Sequence, residues 1–155
     1  MPNGTHSFND KAFTALSVLI DFEHSIVERG KDQQIVTLTL QNTGAGHHFP
    51  TGSPFKEVLV EMRAEYLYRG KQWKRFSTPF NTTLSREIEN VQPWKTVSDS
   101  RIKAGETRKW TWPIMLPVTA SSGPWRISVV LTEQTRGSTD TPIVIYQNAF
   151  PMIVR

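Results

Sequence analysis

Cysteine is absent from this sequence of 155 residues. Its absence excludes disulfides, thiolate zinc sites, cysteine nucleophiles and, within this chain, covalent haem attachment through a Cys-x-x-Cys-His motif. The sequence also lacks any apolar run of about 18 residues, and its first residues do not join a charged region to an apolar one. Neither a membrane span nor a signal peptide is therefore visible in it.

The composition is that of one folded domain with modest positive charge. Hydrophobic residues make up 37% of the chain, and 18 basic residues face 14 acidic ones, which gives a net charge of +4. The basic residues are scattered except around one expected turn, at Arg69, Lys71, Lys74 and Arg75. Such a cluster is more typical of a solvated hairpin tip than of a nucleic-acid surface, so we expect no nucleic-acid partner. The cluster does raise the chance of an acidic or anionic partner.

Alternating apolar and polar residues predict strands along most of the chain. We expect an irregular lead-in at residues 1–11 and a single domain at 12–155, an all-β, immunoglobulin-like antiparallel β-sandwich of about seven strands. A long connection is expected at 77–100, with a short helix near 84–90 as the alternative. The predicted strands occupy 12–27, 34–42, 58–68, 73–76, 108–116, 125–132 and 143–151.

A glycine-punctuated loop with two adjacent histidines, at residues 41–52, separates two of these strands. Glycine permits backbone angles that other residues avoid, and proline fixes its own φ while favouring an extended residue before it. If the histidines continue that extended conformation, their side chains diverge, and a partner on one side meets only one of them. The histidines are His47 and His48, and the residues that shape the loop are Gly44, Gly46, Pro50 and Gly52.

No residue pattern commits the chain to catalysis or to a native metal site. The histidines show no His-x-His or His-x-x-x-His spacing, and Gly52-Ser53 lacks the flanking pattern of a nucleophile elbow. We therefore expect no metal, no catalytic residue and no enzymatic activity of this chain alone. His24 has the parity of the apolar face of its strand, and Trp110 and Trp112 share one strand face, so we expect all three in or beside the core.

The run from Asn42 to Gly52, Asn-Thr-Gly-Ala-Gly-His-His-Phe-Pro-Thr-Gly, resembles a segment of multihaem c-type cytochromes, in the β-sandwich that follows the haem-bearing region. Thr5-His6-Ser7-Phe8 is similar to the His-x-Phe segment after the last haem-attachment site of such proteins. The turn Ile102-Lys103-Ala104-Gly105-Glu106-Thr107 is similar to the one before a late strand there. The haem-attaching motifs themselves are absent, so we expect a fragment of a larger exported cytochrome, with a cysteine-free relative as the alternative.

The resemblance implies a haem-free accessory domain that packs against the haem-bearing region of its parent, itself a possible oxidoreductase, in the periplasm or outside the cell. The chain alone would bind no cofactor, and haem c would belong to the parent. His6 and His47 are the implied distal haem ligands, and His48 is a weaker one. His47 could instead brace the loop by hydrogen bonds. The competing reading is a carbohydrate- or protein-binding module of an exported protein, which an exposed pair of tryptophans would favour.

Overall fold

A computed structural model describes residues 5–7, 18–23, 26–44, 46–89 and 96–155. These residues contain ten strands and no helix, which confirms the all-β class and exceeds the predicted number of about seven strands. In the described part of the chain no helix is long and apolar enough to cross a membrane. The strands are β1 Thr5–Ser7, β2 Val18–Glu23, β3 Gln34–Asn42, β4 Lys56–Tyr68, β5 Gln72–Leu84, β6 Arg86–Ile88, β7 Thr96–Asp99, β8 Thr107–Ile114, β9 Trp125–Thr135 and β10 Ile143–Met152.

The strands form two antiparallel four-stranded sheets and a small two-stranded one. One large sheet has the order β1-β2-β3-β8, the other β10-β9-β4-β5, and β6 pairs with β7. After the β2–β3 hairpin the chain crosses to the second sheet at β4, returns to pair β8 with β3, and crosses again to pair β9 with β4. This alternation between sheets is the Greek-key pattern of immunoglobulin-like sandwiches.

The core lies between the two large sheets because each central strand alternates buried and more exposed residues. In β4 the buried members are Val58, Val60, Met62 and Ala64. The first sheet contributes Phe22, whose ring stacks on Phe150 of the second sheet with centroids 4.7 Å apart. Val18, Ile20, Val36, Leu38 and Leu40 of the first sheet and Trp125, Ile127, Val129 and Leu131 of β9 complete most of this core.

The prediction of a long connection at 77–100, and its helical alternative at 84–90, were wrong wherever the structure describes those residues. Strand β5 continues to Leu84, and β6 and β7 form a further hairpin. Strand β5 lies at the edge of its sheet and carries a register shift opposite Arg63, next to Ser77 (φ 63°) and Pro79. Edge strands and bulges tolerate such residues, so a polar, proline-containing stretch can still pair as a strand.

The irregular lead-in predicted for residues 1–11 was wrong at Thr5–Ser7, which pair with Asp21–Glu23 as strand β1. Of the strand predicted at 12–27, the described residues form strand β2 at Val18–Glu23 and a bridge between Val27 and Val154. His24, placed on the apolar parity of that strand, lies outside the described residues.

Candidate functional site: the histidine loop

The last residue of β3, Asn42, organises the loop that carries the two histidines. Asn42 is buried, with only 1% of its surface exposed. Its amide Nδ2 donates to the carbonyl oxygens of His47 at 2.7 Å and of Ile102 at 3.0 Å. Its Oδ1 accepts from the backbone N–H of Gly44 at 2.9 Å. One buried amide therefore satisfies three backbone groups and fixes the start of the loop against a second segment of the chain.

Backbone hydrogen bonds fasten the loop to the turn before β8. Phe49 and Ile102 exchange two bonds, of 2.8 and 2.9 Å, and both side chains are buried. The Asn42 N–H donates to the Glu106 carbonyl at 3.0 Å, and the Gly105 N–H donates to the Asn42 carbonyl at 2.9 Å. The segment from Asn42 to Phe49 is thus held at both ends. The histidine loop at 41–52 and the turn at 102–107, both singled out in the sequence, lie side by side.

The glycines and the proline that were predicted to shape the loop differ in their backbone conformation. Gly46 has a φ of 74° and Gly52 a φ of 105°, in the region that disfavours residues with a Cβ. Gly44 contributes a backbone N–H that donates to Asn42 Oδ1. Pro50 is buried and follows a cis peptide bond. Asn42 was quoted in the motif, but its role was missed, although an asparagine that ends a strand before a glycine-rich loop typically bonds nearby backbone.

The two histidines differ in exposure. His47 is exposed, and within the described residues its imidazole has no hydrogen bond or ion pair. The loop is braced by the Asn42 side chain and the His47 carbonyl, and not by the His47 imidazole. His48 is half-buried and lies close enough to Asp99 to act on its charge. The imidazole that is free to meet a partner is therefore that of His47.

Ion pairs lie next to the loop, between the end of β7 and the start of β8. Arg101 donates to both Asp99 oxygens, at 2.9 and 2.7 Å. These hydrogen bonds, with a smaller electrostatic contribution from His48, lower the pKa of Asp99 to about 2. Arg108 donates to Glu106 at 2.8 Å and to the carbonyls of Ser100 and Arg101. The Lys103 N–H and then Arg108 lower the pKa of Glu106. The charged groups at this end are thus largely neutralised in pairs.

The structure does not bring His6 next to His47. The backbone of His6 in β1 pairs with Phe22 of β2, and Phe22 pairs with Leu38 of β3, four residues before Asn42. Only the backbone of β1 is described, so its histidine is placed by register alone. Over the described residues no group of three or more potential metal ligands occurs.

The tryptophans of β8 belong to the core, as predicted. Trp112 is 9% exposed, and Trp110 packs on the core from its margin. These two side chains therefore do not form an exposed stacking platform, which removes the pair on which a sugar-binding reading would rest. Trp94, another tryptophan that could contribute to such a platform, lies outside the described residues.

Comparison with known proteins gives weak structural likeness and no family. No protein-family model matches the chain, and no curated protein matches it. Similar solved structures include the alkylpurine DNA glycosylase AlkC of Pseudomonas fluorescens, bound to DNA containing an abasic site analogue (12% identity, TM-score 0.38). Two others are the putative ApaA protein of Bordetella pertussis (10%, 0.33) and the sporulation control protein Spo0M of Bacillus subtilis (11%, 0.29). These alignments cover 88%, 96% and 90% of this chain, which spans 30%, 88% and 49% of the respective structures.

Proposed function

We propose that this chain is a haem-free accessory domain of a multihaem c-type cytochrome, and that its histidine loop faces the haem-bearing region of the parent protein. The domain itself performs no reaction. It would cover haems from water and supply an axial imidazole for electron transfer. Because covalent haem c is matured outside the cytoplasm, the proposal places the parent in the periplasm or outside the cell.

The observation that carries the proposal is the contrast between the loop backbone and the His47 side chain. Hydrogen bonds from Asn42 and the Phe49–Ile102 bridge fix the backbone. The imidazole of His47 is exposed and without a partner in the described residues. This combination favours axial ligation, since a rigid backbone reduces the entropy lost when the imidazole binds the metal.

A c-type haem bound through its own proximal histidine has one remaining axial position, and the ligand there tunes the reduction potential. His47 is our first choice because it is exposed on a fixed loop. His6 remains the second choice, on the basis of its sequence context. His48 is the weakest of the three, because it is half-buried beside Asp99.

The first experiment asks whether the chain belongs to a larger haem protein. An antibody against the chain is used on an extract of the source organism, with a parallel gel stained for covalent haem and with fractions from the periplasm and the cytoplasm. The proposal expects one immunoreactive band far above 17.7 kDa that also stains for haem, in the exported fraction. A haem-free band near 17.7 kDa would refute it.

The second experiment tests His47 directly. A ferric haem c peptide with one proximal imidazole and an open axial position is titrated with the chain, and the Soret band reports six-coordinate, low-spin haem. We expect binding at least about tenfold tighter than that of a free peptide covering residues 41–52, because the folded loop is preorganised.

Two variants separate the histidines in this titration. His47→Ala is expected to lower the affinity to the level of a non-specific imidazole, whereas His48→Ala, a neighbouring control, should bind like the native chain. His6→Ala shows whether the lead-in histidine takes part. Equal binding by His47→Ala and the native chain would exclude His47 as the ligand, whatever the first experiment shows about the parent.

A further inference from the structure

The opposite end of the sandwich carries a second surface, made by the hairpin that joins β4 to β5. Strand β4 has 13 residues, so at about 3.3 Å per residue its two ends lie roughly 40 Å apart. It begins just after the histidine loop and ends at Tyr68. We call residues 65–76, with Arg126 of the adjacent strand β9, the hairpin tip.

The hairpin tip concentrates positive charge. Five of the 18 basic residues of the chain lie there but only one of its 14 acidic residues, an excess of four charges, which equals the net charge of +4 of the whole chain. The acidic residue, Glu65, pairs with Arg126 at 2.9 Å. The other four basic side chains have no carboxylate partner among the described residues: Arg69, Lys71, Lys74 and Arg75.

Aromatic rings hold several of these cations in place. The Lys74 ammonium lies 3.9 Å from the centroid of the Tyr68 ring, and the Arg69 guanidinium lies 5.1 Å from it. The Arg126 guanidinium lies 4.0 Å from the centroid of Trp73. Cation–π contact fixes a charge without neutralising it, so the N–H groups stay available to an external anion. The same contacts occupy a face of the Tyr68 ring and a face of the Trp73 ring, which leaves less ring surface on which a nucleic-acid base could stack.

Exposed apolar side chains lie in the loop next to the hairpin tip. This loop, residues 115–124, is joined to the hairpin by a 3.0 Å hydrogen bond from the Leu67 N–H to the Pro124 carbonyl. Met115 is 57% exposed and Val118 is 73% exposed. Before Val118 the loop contacts the β2–β3 turn, where the Gly30 N–H donates to the Leu116 carbonyl at 2.6 Å. Cations and protruding apolar side chains therefore occupy one end of the molecule.

We propose that the hairpin tip and the 115–124 loop bind the surface of an anionic phospholipid bilayer. The charges match lipid phosphates and carboxylates, and the apolar side chains match the boundary between headgroups and acyl chains. A hairpin turn at the end of a sandwich can meet a flat bilayer, and a polyanion would leave Val118 and Met115 unpartnered. The inference does not depend on the haem proposal, because it concerns the opposite end of the sandwich.

The test is flotation of the chain with vesicles of phosphatidylcholine that contain 0, 20 or 40% phosphatidylglycerol. Binding is expected to rise with the anionic fraction and to fall as salt is raised from 0.05 to 0.5 M, because the Debye length shortens. Each basic residue near an anionic surface accounts for about a fivefold change in binding, so Lys71→Glu/Arg75→Glu should lower the partition coefficient by about 25-fold or more.

A matched control reverses the charge at two exposed lysines that lie away from the hairpin tip. Lys103→Glu/Lys109→Glu changes the net charge equally and should bind at least five times better than the tip variant. A third variant, Val118→Ser, should weaken binding and reduce the quenching of tryptophan fluorescence by brominated lipid. The proposal is overturned if both double variants lose binding equally. It is also overturned if a single-stranded oligonucleotide or polyglutamate competes with the vesicles at equal charge concentration while Val118→Ser has no effect.

Discussion

The two ends of this sandwich differ in whether their basic side chains are paired with carboxylates. At the histidine loop, Arg101 and Arg108 are bonded to Asp99 and Glu106, and a buried asparagine ties the backbone down. At the hairpin tip most cations lie over aromatic rings or have no carboxylate partner among the described residues. The first end is preorganised and almost neutral, while the second keeps its charge available.

This difference indicates different kinds of partner. A neutral, fixed loop suits a contact in which one side chain must be placed accurately, as an axial imidazole would be. A surplus of cations at the other end suits a partner that offers many equivalent anions and needs no fixed register, as a bilayer surface does. The predictions below disturb one end and follow the other.

The largest effect is expected at Asn42. Asn42→Ala removes three hydrogen bonds. It leaves the part-buried His47 carbonyl without its donor and the buried Ile102 carbonyl with the Phe49 N–H alone, so it should lower the free energy of unfolding by about 3 kcal/mol. Urea denaturation measures this. The control, Asn81→Ala on the exposed side of edge strand β5, should stay within about 0.5 kcal/mol of the native chain.

Asn42→Asp makes the same point with almost no change in shape. The carboxylate can still accept from Gly44 but cannot donate to the His47 and Ile102 carbonyls. It should destabilise at least as much as alanine, while vesicle binding of the folded fraction is preserved. A loss for Asn42→Ala no larger than that for Asn81→Ala would contradict the role assigned to Asn42, and parallel loss of vesicle binding would show that the two ends are coupled.

A smaller, pH-dependent effect is expected at Asp99. Its pKa in the folded chain is about 2, below the usual 3.8, chiefly because of the Arg101 hydrogen bonds. A depressed pKa stabilises the fold above pH 3.8, and this contribution is lost as the pH falls toward 2. Because the pair is partly exposed, we expect a loss of only about 1 kcal/mol.

Stability measured between pH 5 and pH 2 tests this. Asp99→Asn should flatten that part of the profile, whereas Lys71→Gln at the hairpin tip should leave its shape unchanged, since Lys71 lacks a carboxylate partner in the described residues. An unchanged slope in Asp99→Asn would mean that other carboxylates cause the acid sensitivity.

The sequence predicts the sandwich well where strands have a buried face and poorly where they do not. Strands β3, β4, β8 and β9 alternate because one side packs into the core, and that alternation is visible in the letters. Strand β5 beyond Phe76 is mostly polar and contains Pro79. An edge strand tolerates this because it need not bury every second side chain, and the N–H groups on its open side need no partner strand. The hydrogen bonds to β4 determine its pairing, and the pattern of apolar and polar residues within β5 does not reveal them.

The site divides in the same manner. The loop and its histidines follow from the spacing of glycine and proline. The exposure of His47 does not, because it depends on where residues 100–106, sixty positions away, hold the loop. The basic cluster at 69–75 was visible in the sequence. The contacts of its cations with aromatic rings, and the position of the apolar 115–124 loop beside them, are seen only in the folded structure.

The smallest effect is expected at Arg69, where stability and binding should change in opposite directions. Arg69 and Gly70 have φ values of 54° and 66°, and the Lys71 N–H donates to the Tyr68 carbonyl at 3.1 Å, so the turn requires two residues in left-handed conformations. Asn-Gly is the preferred pair for such a turn, and an arginine at its first position is disfavoured. Arg69→Asn should therefore raise the free energy of unfolding by about 0.5 kcal/mol.

The same change removes one cation, so vesicle binding should weaken by about fivefold. The control, Gly70→Ala, places a Cβ at a positive φ and should cost about 1 kcal/mol of stability with little change in vesicle binding, because no atom lies within 4 Å of that Cβ. If Arg69→Asn stabilised the fold and left vesicle binding intact, the cation at the turn would have no part in the lipid contact. Opposite changes in the one variant would mean that the chain retains a locally disfavoured residue because its charge serves the surface at that end.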